Sequence, residues 1–209
     1  ADTVLREGAV YLAGDVTAES ADIDPALLLA GLAVPGLGEG HPASARGRLE
    51  FGGGELSLAL TQAAFDGEPV AGSIRARFGE AARLAGSLDL KSVSLPLLAA
   101  FGAGSVPAAQ GSGWSDAAFA AAVPPDLALD VKINAEALDL GLPSPASNAT
   151  LQFGLAGGTL NLDLAAADFA GGKLQGSAVA NIKDGEAELV LRAALQGGQL
   201  QALVWERSG

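Results

Sequence analysis

Two stretches of this chain repeat one another, and a chain built by duplication has few ways to fold. The first reads Gly47-Arg-Leu-Glu-Phe-Gly, then Gly53-Gly-Glu-Leu-Ser-Leu-Ala-Leu, then Phe65-Asp-Gly and Val70-Ala-Gly-Ser. The second reads Ala149-Thr-Leu-Gln-Phe-Gly, then Gly157-Gly-Thr-Leu-Asn-Leu-Asp-Leu, then Phe169-Ala-Gly and Leu174-Gln-Gly-Ser. After a two-residue insertion one offset holds, so Leu56, Leu58 and Leu60 answer to Leu160, Leu162 and Leu164. Phe65 likewise meets Phe169, and Gly72 meets Gly176. Agreement between so many unlike residues marks an internal duplication. A weaker echo links Leu12-Ala-Gly-Asp-Val to Leu84-Ala-Gly-Ser-Leu, each leading into a short apolar run.

Within the repeats the period is two. Leu127, Leu129, Val131 and Ile133 alternate with Ala128, Asp130, Lys132 and Asn134, and Ile74, Ala76 and Phe78 alternate with Ser73, Arg75 and Arg77. Side chains on a strand point to opposite faces in turn, so each segment has one apolar and one polar face. That pattern belongs to antiparallel strands with one wet side. Gly53-Gly54, Gly157-Gly158, Gly171-Gly172 and Asp184-Gly185 supply the positive φ that tight hairpins require. The expected fold is mainly β: duplicated antiparallel, curved sheet modules in an elongated, repeat-like architecture with two or three short helices. Helices are expected near 24–33, where Asp24 caps and Pro25 takes the first turn, near 94–102, where Ser94 caps and Gly102 stops, and at 116–122. The modules divide as 1–103 and 114–209, with a Gly/Ala/Ser/Pro linker at 104–113.

Composition removes several functions. Hydrophobic residues make up 49% of the 209 residues and charged residues 17%, which excludes a disordered chain. Cys is 0, so neither a disulfide framework nor a thiolate metal site is available. The net charge of −12 repels phosphate backbones and anionic headgroups, so nucleic acid is excluded as a partner and any membrane role rests on apolar contacts. No apolar run is long and unbroken enough for a spanning helix, since Ser92 to Ser115 carries Pro96 and Pro107. Met is 0, which reads as a processed or excised fragment.

The order of motifs resembles the AsmA-like C-terminal region of Gram-negative envelope proteins. Trp114-Ser-Asp precedes Pro124-Pro125. Asp126-Leu-Ala-Leu-Asp-Val-Lys-Ile-Asn-Ala-Glu-Ala-Leu follows, then Asn148-Ala-Thr-Leu-Gln-Phe, Gly158-Thr-Leu-Asn-Leu and Phe169-Ala-Gly-Gly-Lys-Leu-Gln-Gly. The resemblance covers about half the chain, and the duplication extends it to 46–94. It implies a periplasmic β-structure tethered to the inner membrane, involved in outer-membrane assembly and homeostasis. Larger relatives imply lipid-transfer bridges with a greasy concave face. The partners it implies are phospholipid or another envelope lipid, and envelope proteins. This chain lacks the family's anchor helix, so the tether is implied and not read.

No catalytic residue, cofactor or metal is expected. Gly53-Gly54 and Gly157-Gly158 lack the Lys-Ser or Lys-Thr of a phosphate cradle and read as hairpin turns. Asp126, Asp130, Glu136 and Asp139 alternate with apolar residues and read as a wet strand face, without the tight spacing of a calcium loop. His41 is the single histidine, in a Gly-His-Pro turn with no visible nucleophile. Arg46, Arg48, Arg75, Arg77 and Arg83 read as solubilising charges, and Trp114 as packing. The candidate lipid-binding set is the apolar face: Phe51, Leu56, Leu58, Leu60, Leu127, Leu129, Val131, Ile133, Phe153, Leu160, Leu162 and Leu164. Strands with one apolar face and few helices must stack, curl, or expose a groove. The competing readings are a structural repeat spacer or adhesin-like module, and a β-solenoid enzyme on glycans.

Overall fold

A computed structural model describes residues 2–6, 9–29, 38, 40–79, 81–103, 127–183 and 186–199. Eleven strands form one curved, unclosed sheet in which spatial order follows chain order. They are β1 Asp2–Arg6, β2 Ala9–Ser20, β3 Ala43–Gly52, β4 Glu55–Phe65, β5 Glu68–Arg77, β6 Ala82–Ser94, β7 Leu127–Asp139, β8 Ala146–Ala156, β9 Thr159–Phe169, β10 Gly172–Lys183 and β11 Glu186–Gln196. Helix α1, Asp24–Leu29, follows β2, and α2, Leu95–Ala103, follows β6.

The glycine-marked connections behave as hairpin chemistry requires. Gly53, Gly54, Gly157 and Gly158 all have positive φ, as do Asp66 with Gly67 and Ala170 with Gly171. Two successive positive φ angles define the turn whose twist matches the flanking strands. Helix α2 starts as expected, with the Ser94 hydroxyl accepting the Leu97 N–H at 3.4 Å. It runs one residue past Gly102, to Ala103. Helix α1 differs. The Asp24 carboxylate bonds to Gly38, Gly40 and His41, and Asp22 Oδ1 accepts the Asp24 N–H at 2.9 Å. The helix is described only to Leu29, and the helix expected at 116–122 and the linker at 104–113 lie outside the described residues.

The duplication recurs as repeated pairing. In β4–β5, Leu58 opposes Ile74, Leu60 opposes Gly72, and a bulge leads to Ala63 opposite Val70. In β9–β10, Leu162 opposes Ala178, Leu164 opposes Gly176, and a bulge leads to Ala167 opposite Leu174. All three pairs match at the sequence offset, bulge included. The preceding hairpins differ. Phe51 opposes Leu56, whereas Phe153 opposes Leu162. The inserted Leu155-Ala156 adds two pairs between Phe153 and the turn and slides its partners by two residues. Two is the strand period, so every side chain keeps its face.

One junction departs from the antiparallel expectation. Strands β6 and β7 pair in parallel, from Ala82 opposite Leu127 to Ser94 opposite Asp139. Consecutive parallel strands need a crossover of a dozen or more residues, and the stretch from Leu95 to Asp126 supplies that length. The two halves are thereby hydrogen-bonded into one sheet instead of standing apart.

Candidate functional site: one apolar sheet face

The strand registers place the apolar residues in rows that cross the sheet. One row runs Phe51, Leu56, Ala76, Leu84, Leu129, Leu155, Leu160, Ala180, Leu189. The next runs Leu49, Leu58, Ile74, Gly86, Val131, Phe153, Leu162, Ala178, Leu191. A third contains Leu60, Gly72, Leu88, Ile133, Leu151 and Leu164. Leu127, beside Ala82 at the start of β7, shares this side. All twelve candidate residues therefore stand on one face.

Depth divides them. Leu129, Ile133, Phe153, Leu160 and Leu164 are buried in a core cluster centred on β7–β9, with Leu138 and Leu151 fully enclosed. There α2 packs Leu95 and Leu98 against the cluster. Phe51, Leu56, Leu58, Leu60, Leu127, Val131 and Leu162 are only half-buried. No second sheet lies over this face among the described residues.

The opposite face is polar and internally bonded. Asn134 Nδ2 donates to Asp89 Oδ1 at 2.7 Å, and the Thr150 hydroxyl donates to Asn134 Oδ1 at 3.3 Å. Gln152 donates to Asp130, and Lys173 and Asn148 both donate to Asp168. Those two bonds, opposed by partial burial, hold the Asp168 carboxyl below its ordinary range. Asp130, Glu136 and Asp139 are exposed, as expected of a wet strand face, and Asp126 lies outside the described residues. The five arginines are exposed, with Arg48 near Glu50 and Arg77 near Glu55. Trp114 and Trp205 lie outside the described residues. Among the described residues no group of His, Asp and Glu is arranged to hold a metal ion.

His41 occupies a built site that sequence reasoning missed. Its Nδ1 lies 2.6 Å from Oδ1 of Asp24, a carboxylate only 3% exposed. The other Asp24 oxygen accepts the N–H groups of Gly38 at 2.7 Å and Gly40 at 3.2 Å. Burial pushes the Asp24 pKa up, but the bonds from Gly38, His41 and Gly40, with the charge on His41, outweigh it and leave the carboxyl below its ordinary value. The ring stacks on Phe65 at 5.7 Å, and Nε2 lies 3.9 Å from Asp66. Asp24 thus orients His41 in the way an acid orients a catalytic base, yet the far nitrogen faces a second carboxylate where a triad would place its nucleophile. The arrangement is a clasp between the loop after α1 and the β4–β5 turn. No sequence period joins positions 24, 41 and 66, so only the Gly-His-Pro turn hinted at it.

No protein-family model, curated protein or solved structure matches the chain.

Proposed function

We propose that this chain is a non-enzymatic, AsmA-like module of the periplasm, tethered to the inner membrane, that serves outer-membrane assembly by shielding or guiding lipid acyl chains. One observation carries the proposal: an open sheet holds a continuous apolar side whose residues on β3 and β4, Phe51, Leu56, Leu58 and Leu60 among them, are only half-covered. A monomeric soluble protein rarely leaves a contiguous apolar patch of more than a few hundred Å². An acyl chain gains about 0.8 kcal/mol per buried CH₂, so such a path needs no charged clamp. The polar face, bonded strand to strand, keeps the other side in water.

The structural-spacer reading has its own support, since Ile133, Leu151, Phe153 and Leu164 already form a closed core. The two readings separate by position. Photo-crosslinkers at Leu58 in an intact envelope are expected to capture lipid, and those at Leu151 or at the outward-facing Asn161 are not. Crosslinks that stay within protein at Leu58 would reject the lipid path and leave the spacer.

A further inference from the structure

Strand β11 closes the described sheet with an edge that is apolar, long and unpaired. Leu189 and Leu191 are 64% and 69% exposed, and Val190 on the other face is 40% exposed. Their inner neighbours explain the first two. Leu189 and Leu191 oppose Ala180 and Ala178, which are too short to cover them. Such an edge is a template for another strand, and proteins usually blunt it with charges, bulges or a covering segment. Here the chain turns inward on leaving β11. The Gln199 N–H donates to the Ala170 carbonyl at 2.8 Å, at the β9–β10 turn, so residues 197–199 lead away from the free edge.

The edge is also complementary to itself. Lys183 and Glu186 pair across a two-residue connection, which makes them a hydrogen-bonded pair. Alternation then turns the N–H and C=O groups of 187, 189, 191, 193 and 195 outward. A second β11 running antiparallel, centred on Val190, meets the groups of 187, 189, 191 and 193 in register. Leu189 then opposes the second copy's Leu191 as a hydrogen-bonded pair. Val190 opposes its own copy, and Glu188 opposes Arg192, as non-hydrogen-bonded pairs, where side chains approach most closely. Glu188 and Arg192 are both exposed, and neither has an ion-pair partner among the described residues. Centring the pair on Glu188 instead would set like charges opposite.

We infer that the β11 edge is a homodimer interface, in which two copies join antiparallel about Val190 and their apolar faces become one. The interface is isologous, so it closes after two copies. It does not depend on whether lipid binds.

Charge swapping tests it. The 209-residue chain is expected to sediment as a dimer. Arg192→Glu, which sets two pairs of like charges opposite, should shift it to monomer at the same concentration, and Glu188→Arg with Arg192→Glu should restore the dimer. The protein has no cysteine, so Val190→Cys introduces a single thiol at the two-fold axis and should form an intermolecular disulfide under mild oxidation. Ala194→Cys, also exposed but four residues off the axis, should not. A monomeric wild type overturns the inference. So does a dimer indifferent to Arg192→Glu, equal crosslinking of the two cysteine variants, or a photo-crosslinker at Val190 that reacts with residues 200–209 or with a different protein.

Discussion

A carboxylate enclosed by two backbone N–H groups and an imidazole is fixed by its partners, and Asp24 is held this way at the mouth of a loop. Its folded pKa lies below its ordinary value. The stability it confers is therefore fully present above the unfolded value and is lost as pH falls through the lowered one. Asp24→Asn should lower the denaturation midpoint near neutral pH, and its gap from wild type should close in acid, as pH falls below the ordinary carboxylate value and through the lowered one. A gap that persisted at the acid end would reject the clasp. His41→Ala should weaken the same loop, and amide exchange there should rise. A second residue-scale prediction comes from comparing the repeats. Ala170 and Asp66 fill the same turn position at φ 50°. Asp and Asn tolerate that conformation, whereas Ala meets a penalty of about 1–2 kcal/mol. Ala170→Asn should therefore stabilise the chain by about 0.5–1 kcal/mol in chemical denaturation. Beyond the Gly-His-Pro turn the clasp was not legible beforehand, because a loop contact between residues 17 apart leaves no periodic trace. The turn was legible as a turn, but its strain was not, since Ala at that site looks like any short residue.

At the scale of elements, strands were legible because their faces alternate, and helices because Ser94 and the two Pro-marked runs announce them. Parity also explains what was hidden. Parallel and antiparallel neighbours show the same alternation, so nothing in Leu84 or Leu129 reveals that β6 and β7 run the same way. The cap of α1 was misplaced for a related reason: Asp22 and Asp24 are equally good caps by type, and the choice fell to the loop that claimed Asp24. The insertion at Leu155-Ala156 tests parity directly. Removing both residues gives the second hairpin the register of the first and keeps Leu160, Leu162 and Leu164 on the apolar face. The cost should be that of one buried leucine, about 2–5 kcal/mol. Removing Ala156 alone would turn all three leucines to the polar side, and that chain should fail to fold. Urea melts followed by circular dichroism distinguish the outcomes, and equal loss in both deletions would reject the parity account.

Across the whole molecule, the duplication makes equal sequences occupy unequal environments. Leu49 and Leu151 hold the same place in the two repeats. Leu151 is 1% exposed within the central cluster, whereas Leu49, nearer the open flank, is half-buried. The difference is positional: β8 lies among the strands where α2 and the core cluster gather, and β3 lies toward the edge that lacks them. In a sheet whose order follows the chain, each strand depends chiefly on its two neighbours, so stability should be graded as it is in repeat proteins. Leu151→Ala should cost about 2–5 kcal/mol. Leu49→Ala loses only part of that burial and should cost about 1–2 kcal/mol at the usual value per unit of apolar area. Amide exchange read by mass spectrometry should show the same gradient, with strongest protection in β7–β9, less through β2–β5, and early opening where Leu189 and Leu191 stand exposed. A β11 protected as well as β8 in monomer would contradict the gradient, because its outer N–H groups then have no strand to hold them. Protection of β11 that rises with protein concentration, with β3 unchanged, is the pattern expected when a second copy takes up that edge.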